Sequence, residues 1–387
     1  MSTDYSDRYV FEAEWYDNVA CILKKFYLYY YPSNNTIELF DLKTRKIFLK
    51  RTICEGIKVK DFYIGAVITI FSRCIKIMGY ADNYTKIKLE TQLQKFFILL
   101  KPDIINKMGE VIKDITNHDF QITNIKMMLL TAIEVTDCNF IKDATDKMSM
   151  IKYLTSGPVV GLELLGENGI MRWQELADPE NCKQAYSTTT SLSRICGKNE
   201  LYNSVYGSKN IEMAIQELGY FFPNLKNKNK GPKTSAVLQN CTCCIIKPHA
   251  VQAKLLGPII DDIQKAGYII TAVQQFRINL INSEEFLEIY KGVLSEYTAM
   301  VVELQSGPCI VIEVSHKNED FNIVADFRNF CGPIDPDIAR QIKPNTLRAK
   351  YGKTKVQNAV HCSDLPEDGV LEVSHWSIHK AVMSKQK

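Results

Sequence analysis

The 387-residue chain carries one ordered set of short motifs twice. Phe97-Ile-Leu-Leu-Lys-Pro-Asp103 returns as Cys243-Cys-Ile-Ile-Lys-Pro-His249, with Lys101 and Lys247 146 positions apart. Gly109-Glu-Val-Ile-Lys-Asp-Ile returns as Gly257-Pro-Ile-Ile-Asp-Asp-Ile at an offset of 148, and Ser156-Gly-Pro as Ser306-Gly-Pro at 150. Arg194 and Arg348 follow at 154, then Asn203 with Asn358 and Glu217 with Glu372 at 155. Offsets that grow slowly and keep their order describe one domain duplicated with small insertions.

Each copy reads as strand, helix, strand, further helices, strand and helix, with an apolar strand before the Lys-Pro and another at the Ser-Gly-Pro. That order fits a ferredoxin-like α/β sandwich. The first copy spans 93–223 and the second 239–376, with 377–387 as a tail. Asn224-Leu-Lys-Asn-Lys-Asn-Lys-Gly-Pro-Lys233 has almost no apolar content, so 224–238 is expected to be a solvated linker. Residues 1–90 differ, with short runs of Tyr, Phe, Ile, Val and Thr cut by turn signals at Pro32-Ser-Asn-Asn35 and Asp82-Asn-Tyr-Thr85. They predict a small all-β unit, and the chain as a whole an α+β multidomain protein.

Composition excludes several classes. Hydrophobic residues at 46% and charged residues at 24% are too apolar a mixture for general disorder. A net charge of +3 gives no bulk electrostatic reason to bind nucleic acid. The most apolar run, Tyr63 to Ser72, stops at Arg73, short of the ~20 residues of a membrane span. The polar start lacks a secretory signal, so a soluble intracellular protein is expected. Twelve cysteines without regular spacing read as reduced, mostly buried thiols.

Six histidines make the search for a nucleophile short. His375 and His379 stand four apart but have no third ligand nearby, so no metal site is expected there. His361, in Asn358-Ala-Val-His-Cys-Ser-Asp364, sits at the end of an apolar strand facing a loop. Glu372 follows eleven residues later, and a carboxylate on one ring nitrogen raises the nucleophilicity of the other. By itself this stretch reads first as a structural histidine, hydrogen-bonded at a strand end. Lys247, Arg328 and Arg348 in the same copy supply the arginine forks and point-charge lysine that phosphate recognition uses.

Lys247-Pro-His-Ala-Val, Ser306-Gly-Pro, Arg328 to Gly332, Thr346-Leu-Arg348 and Asn358 to Asp364, in that order, resemble a nucleoside diphosphate kinase domain. The resemblance implies transfer of the γ-phosphate of ATP or another NTP to a diphosphate through a phosphohistidine, with Mg2+ held by the nucleotide phosphates. Carried over by position, His361 is the nucleophile and Glu372 orients it. Lys247, Arg328 and Arg348 neutralise phosphate charge, Asn358 and Ser363 complete the pocket, and Tyr297 clamps the base. Two positions depart from the pattern: Ile334 replaces a threonine and Cys362 a glycine.

The first copy departs further. Lys101, Arg194, Asn203, Ser208 and Glu217 persist, but the histidine position holds Tyr206 and that of the first arginine holds Gln174. A tyrosine of pKa ~10 is a poor nucleophile at neutral pH, so this copy is expected to be inactive.

Trp15-Tyr-Asp17, Tyr29-Tyr-Tyr-Pro32, Glu38-Leu-Phe-Asp41, Phe48-Leu-Lys-Arg51 and Tyr80 to Thr85 resemble the DM-ten domain, a pleckstrin-homology-like β fold of ciliary proteins. One such domain before two kinase repeats is similar to a ciliary branch of the kinase family. That resemblance implies a microtubule inner protein of axonemal doublets, touching tubulin and other inner proteins, in the cytoplasm, cytoskeleton and cilium. It leaves a second reading, an active kinase maintaining local NTP pools. The charge balance and composition lead to the expectation of no nucleic-acid or membrane partner, and the two repeats are compatible with packing as an intrachain pseudo-dimer.

Overall fold

The computed structural model describes residues 8–17, 20, 22–54, 56–71, 73–90, 93–138, 141, 146–177, 204–223, 231–318 and 321–382. The chain divides into two compact units, Met1–Gln94 with Ile278–Gly307, and Lys95–Arg277 with Pro308–Lys387. Among the described residues no helix is long and apolar enough to cross a membrane.

The first unit is built on an antiparallel sheet of β1 (Tyr9–Asp17), β2 (Ile22–Tyr31), β3 (Thr36–Asp41), β4 (Lys46–Ile53), β5 (Val67–Ile70) and β6 (Arg73–Tyr80), in the order β4-β3-β2-β1-β6-β5. The Pro32–Asn35 turn joins β2 to β3, with Asn35 in the left-handed region at φ 51°, a conformation asparagine tolerates. Phe11, Phe26, Leu28, Ile37, Phe62, Ile75 and Ile77 form its core. The all-β expectation needs one correction. Asp82 does not open a loop: its carboxylate accepts the Thr85 N–H at 2.6 Å and starts a helix, Asn83–Glu90. Aspartate serves turns and helix N-caps through the same side-chain bond, so the signal was ambiguous. Thr85 then accepts the buried Val10 N–H at 2.8 Å, fastening that helix to β1. At the β5 edge of the sheet, Thr69 Oγ1 donates to the Ser306 carbonyl at 2.9 Å, so the Tyr297–Gln305 helix packs within this unit.

The second unit is one eight-stranded sheet. It comprises β7 (Leu93–Leu100), β8 (Gln121–Met128), β9 (Val159–Glu167), β10 (Val205–Gly207), β11 (Cys241–Ile246), β12 (Ile269–Arg277), β13 (Pro308–Ser315) and β14 (Val360–Cys362). The order β10-β7-β9-β8-β12-β13-β11-β14 reads the first copy and then its mirror image. The two halves meet where Lys126 pairs with Gln274, and Gln275 Nε2 donates to the Thr123 carbonyl at 2.7 Å.

Two equivalent helices, Met108–Asn117 and Leu256–Lys265, pack on each other across the same junction. A Cβ on Gly109 would lie 2.3 Å from the Asp261 backbone, and one on Gly257 2.5 Å from the Lys113 backbone. Lys113 and Asp261 are themselves equivalent, so each copy offers the other the same glycine and the same backbone step, as a two-fold interface does.

The expected solvated linker is corrected in its second half, since Pro232 and Ser235 are buried. Ser235 Oγ donates to the Thr271 carbonyl at 2.7 Å, and the Val237 and Leu238 N–H groups donate to the buried Glu313 carboxylate at 2.9 and 2.6 Å. A buried carboxylate requires such donors, and they outweigh the polar composition of the segment.

Candidate active site

The Lys-Pro pair fixes one wall. Proline opens the Pro248–Gln252 helix, where no intrahelical N–H is needed, and holds Lys247 extended at φ −73°, ψ 156°. Lys247 is thereby left at the strand end, buried, with its ammonium donating to the Val356 carbonyl at 2.9 Å.

The opposite wall is β14, paired to β11 with His361 opposite Ile245. Ala359, just before it, is held at φ 71° in a turn closed by Val360 N–H to the Asn358 carbonyl at 2.9 Å. Such a γ-turn stores about 1–3 kcal/mol and persists only when its surroundings impose it. Here the Ala359 carbonyl accepts the Lys247 N–H at 2.9 Å, and its own N–H donates to His249 Nε2 at 3.2 Å.

His361 is 8% exposed, and its Nε2 lies 3.0 Å from Glu372 Oε2. Ser363 Oγ donates to the same carboxylate oxygen at 2.9 Å and accepts the Cys243 N–H at 3.1 Å. Glu372 comes from the Asp368–Val382 helix, which reaches the sheet because Gly369 has no side chain: a Cβ there would sit 2.3 Å from the Cys241 carbonyl oxygen. Burial opposes the imidazolium, but the charge and hydrogen bond of Glu372, helped by Cys362 and Asp364, outweigh it and raise the His361 pKa. Glu372 accepts a hydrogen bond from Nε2–H, which leaves the lone pair of the neutral ring on Nδ1.

The cations are placed differently from one another. Arg348 is buried, with Nη1 donating to the Gly332 carbonyl at 2.7 Å, Nε to the Val360 carbonyl at 3.2 Å and Nη2 to Cys362 Sγ at 3.6 Å. Arg328 is half-exposed, paired with the Asp364 carboxylate at 3.3 Å and donating to its carbonyl at 2.9 Å. Asn358 donates to the Ile334 carbonyl at 3.1 Å, while its buried Oδ1 accepts nothing among the described residues. Tyr297 belongs to the first unit, where its hydroxyl donates to the Glu284 carbonyl at 3.4 Å.

The first copy reproduces this framework with other chemistry. Lys101, before Pro102, is extended at φ −84°, ψ 168° and buried. Its N–H donates to the Ser204 carbonyl at 2.9 Å, as Lys247 does to Ala359. Burial, opposed by the charge of Asp103, pushes the Lys101 ammonium down to about 8. Tyr206 and Ser208 both donate to Glu217, at 2.5 Å each, and Ser208 accepts the Phe97 N–H at 3.1 Å. Gln174 Nε2 donates to the Lys209 carbonyl at 2.7 Å, the contact that Arg328 makes with Asp364. Arg194 and Asn203 lie outside the described residues.

Sequence reasoning missed Gly369, and it missed the paired Asp103 and His249, two residues beyond each lysine. Asp103 accepts the Ser204 hydroxyl at 2.6 Å where His249 accepts the Ala359 N–H. The repeat alignment itself carried that signal.

The nucleoside diphosphate kinase family model matches residues 94–226 and again 240–381, well over half of the chain. The chain belongs to the nucleoside diphosphate kinase family. Relatives of this chain named nucleoside diphosphate kinase homolog 7 are 43% identical in Rattus norvegicus and 42% in Mus musculus, each over 96% of this chain and 93% of the relative. A crystal structure of the Aquifex aeolicus nucleoside diphosphate kinase is 30% identical, covering 35% of this chain and 94% of that one, with a TM-score of 0.33.

Proposed function

We propose that the second repeat transfers phosphoryl groups from nucleoside triphosphates to diphosphates through His361, and that the first repeat is a catalytically silent partner. The observation that carries this reading is the Glu372–His361 contact, with Ser363 bound to the same carboxylate. Nδ1 attacks the γ-phosphorus, the bond to the bridging oxygen breaks, and the diphosphate leaves with its electron pair. An acceptor diphosphate oxygen then attacks the phosphohistidine and regenerates the ring. Glu372 keeps the Nε2–H tautomer in place and offsets the positive charge that grows on the ring.

Phosphoryl transfer asks the protein for in-line positioning and charge neutralisation rather than covalent complexity. Lys247, Arg328 and Arg348 would hold the phosphates, and magnesium would arrive with them, spreading their negative charge. The buried Asn358 Oδ1 suits a donor on the nucleotide, because an unsatisfied buried acceptor costs about 1–3 kcal/mol. The test is turnover of a nucleoside diphosphate to triphosphate with ping-pong kinetics, abolished in His361→Ala. Turnover surviving in that variant would refute the assignment.

A structural role in axonemal doublet microtubules is the companion proposal, with tubulin and other lumenal proteins as partners and the first unit as a pleckstrin-homology-like docking domain. It is supported by a first repeat that keeps its hydrogen-bond framework around Tyr206 without a nucleophile, which is expected of a repeat retained for shape. Packing of the repeats through one sheet, in the manner of kinase subunits, belongs to the same proposal. Tagged His361→Ala protein should enter cilia like wild type. Loss of that localisation would make catalysis, not architecture, the reason for its presence.

A further inference from the structure

Ala359 stands two residues before His361, fully buried, at φ 71°. A residue other than glycine keeps such a backbone only where its surroundings impose it. Three hydrogen bonds do so here. The Asn358 carbonyl accepts the Val360 N–H at 2.9 Å, the Ala359 carbonyl accepts the Lys247 N–H at 2.9 Å, and the Ala359 N–H donates to His249 Nε2 at 3.2 Å. The first two are main-chain bonds. The third depends on one buried side chain: with an apolar group at 249 the Ala359 N–H would lose that acceptor inside the protein, and buried N–H groups without partners are rare.

The first repeat clamps the same place from the same two positions. The Lys101 N–H donates to the Ser204 carbonyl at 2.9 Å, and Asp103 accepts the Ser204 hydroxyl at 2.6 Å. Ser204 is the equivalent of Ala359 and Asp103 that of His249, at offsets of 155 and 146. Each repeat thus sets an acceptor, two residues beyond its lysine, against the residue two before the nucleophile position. Alanine has no hydroxyl, so in the second repeat the main-chain N–H is the donor.

We propose that His249 is a positioning residue for phosphoryl transfer at His361, accepting the Ala359 N–H on an unprotonated Nε2 and so holding the turn from which β14 starts. The reaction it serves is the phosphotransfer proposed above.

A main-chain N–H can only donate, so Nε2 carries the lone pair and the proton of the neutral His249 ring lies on Nδ1. His361 is the reverse, with Nε2–H facing Glu372. Two histidines of one site therefore hold opposite tautomers. Ala359 joins Asn358, whose buried Oδ1 suits a nucleotide donor, to Val360, which opens β14 ahead of His361 and whose carbonyl accepts Arg348 Nε at 3.2 Å. Without the His249 acceptor, Ala359 can relax towards negative φ, and a change at that joint displaces Asn358 and His361 relative to each other. A misplacement of about 1 Å costs on the order of a hundredfold in rate.

The test uses the full chain. A long-range 1H–15N spectrum of protein labelled at its six histidines reports the tautomer of each ring, and the His249 signals are those missing from His249→Phe or His249→Gln. Single-turnover labelling from a γ-labelled triphosphate is measured across nucleotide concentration on the same proteins. Phenylalanine keeps a ring and removes the acceptor, while glutamine offers an amide oxygen at a similar reach. Expected are an Nδ1–H tautomer for His249, a maximal labelling rate in His249→Phe lower on the order of a hundredfold with a much smaller change in half-saturating nucleotide concentration, and a rate in His249→Gln closer to wild type than to His249→Phe. An Nε2–H tautomer, His249→Phe labelling like wild type, an effect confined to the half-saturating concentration, or His249→Gln as slow as His249→Phe would overturn the proposal. Wild type without label would instead refute the phosphohistidine reading, and with it the rate half of this proposal. The tautomer, which needs no activity, would still decide whether Nε2 accepts the Ala359 N–H.

Discussion

Tyr206 and His361 take equivalent places in the two repeats and turn to equivalent carboxylates: Tyr206 donates to Glu217, and His361 Nε2 lies 3.0 Å from Glu372. The two repeats share the framework but not the residue it holds. On the proposed function, replacing the tyrosine is insufficient to give the first repeat the activity of the second. Tyr206→His in a His361→Ala background should take up no acid-labile phosphate, because Gln174 offers an amide where the second repeat has Arg328 and Asp103 sits beside Lys101. Labelling at residue 206 would show that the first repeat lacks only its nucleophile.

The raised pKa of His361 gives the pH profile a sign. An imidazolium has no lone pair on Nδ1, so the rate of phosphorylation should fall as pH drops through the histidine pKa, with a midpoint above the ordinary 6.5. Glu372→Gln removes the charge that raises it. The midpoint should move down, while the maximal rate falls on the order of a hundredfold. Rapid-quench labelling across pH 5–9 (about the range that brackets histidine) checks both, and an unchanged midpoint would dissociate Glu372 from the ring.

Gly109 and Gly257 are the points of closest approach between the paired helices. Alanine at either puts a Cβ against backbone rather than against a flexible side chain, so the helices must separate. Each substitution should cost about 1–3 kcal/mol, read as a lower midpoint in chemical denaturation. The two effects should be non-additive, since both strain one interface. A neutral result at both positions would mean that the helices do not meet there.

Lys101 carries a charge in a buried place. Its ammonium is pushed down to about 8, so between there and the ordinary 10.5 the unfolded chain holds a proton that the folded chain lacks, and stability rises with pH. At pH 7 the charged form is penalised. Lys101→Met should raise stability by about 1–3 kcal/mol at neutral pH, with a gain that shrinks as pH rises through that window. Phosphotransfer should be unaffected. A loss of stability would mean that the charge of Asp103 and the Tyr153 ring, whose centroid lies 5.7 Å from the ammonium, outweigh burial.

The features legible in the sequence were those with short-range causes. The duplication showed in ordered offsets, the Lys-Pro junctions in proline's own geometry, and the β2–β3 hairpin in its turn residues at Pro32–Asn35. His361 and Glu372 could be paired because a strand, a loop and a helix turn fit within eleven residues. What escaped depends on packing between distant segments. The carbonyls around Arg348 come from Gly332 and Val360, and the donors to Glu313 from the supposed linker. Nothing local to Ile278–Gly307 indicates that it packs within the first unit.

The central claim is that His361 carries the phosphoryl group. The purified chain should be incubated with γ-labelled nucleoside triphosphate and magnesium, beside His361→Ala, and the label tested for loss in acid and retention in base. Acid-labile, base-stable label in wild type, absent from a folded His361→Ala protein and discharged by added nucleoside diphosphate, is the predicted result. Label persisting in His361→Ala, or a well-folded wild type that never labels, would contradict it.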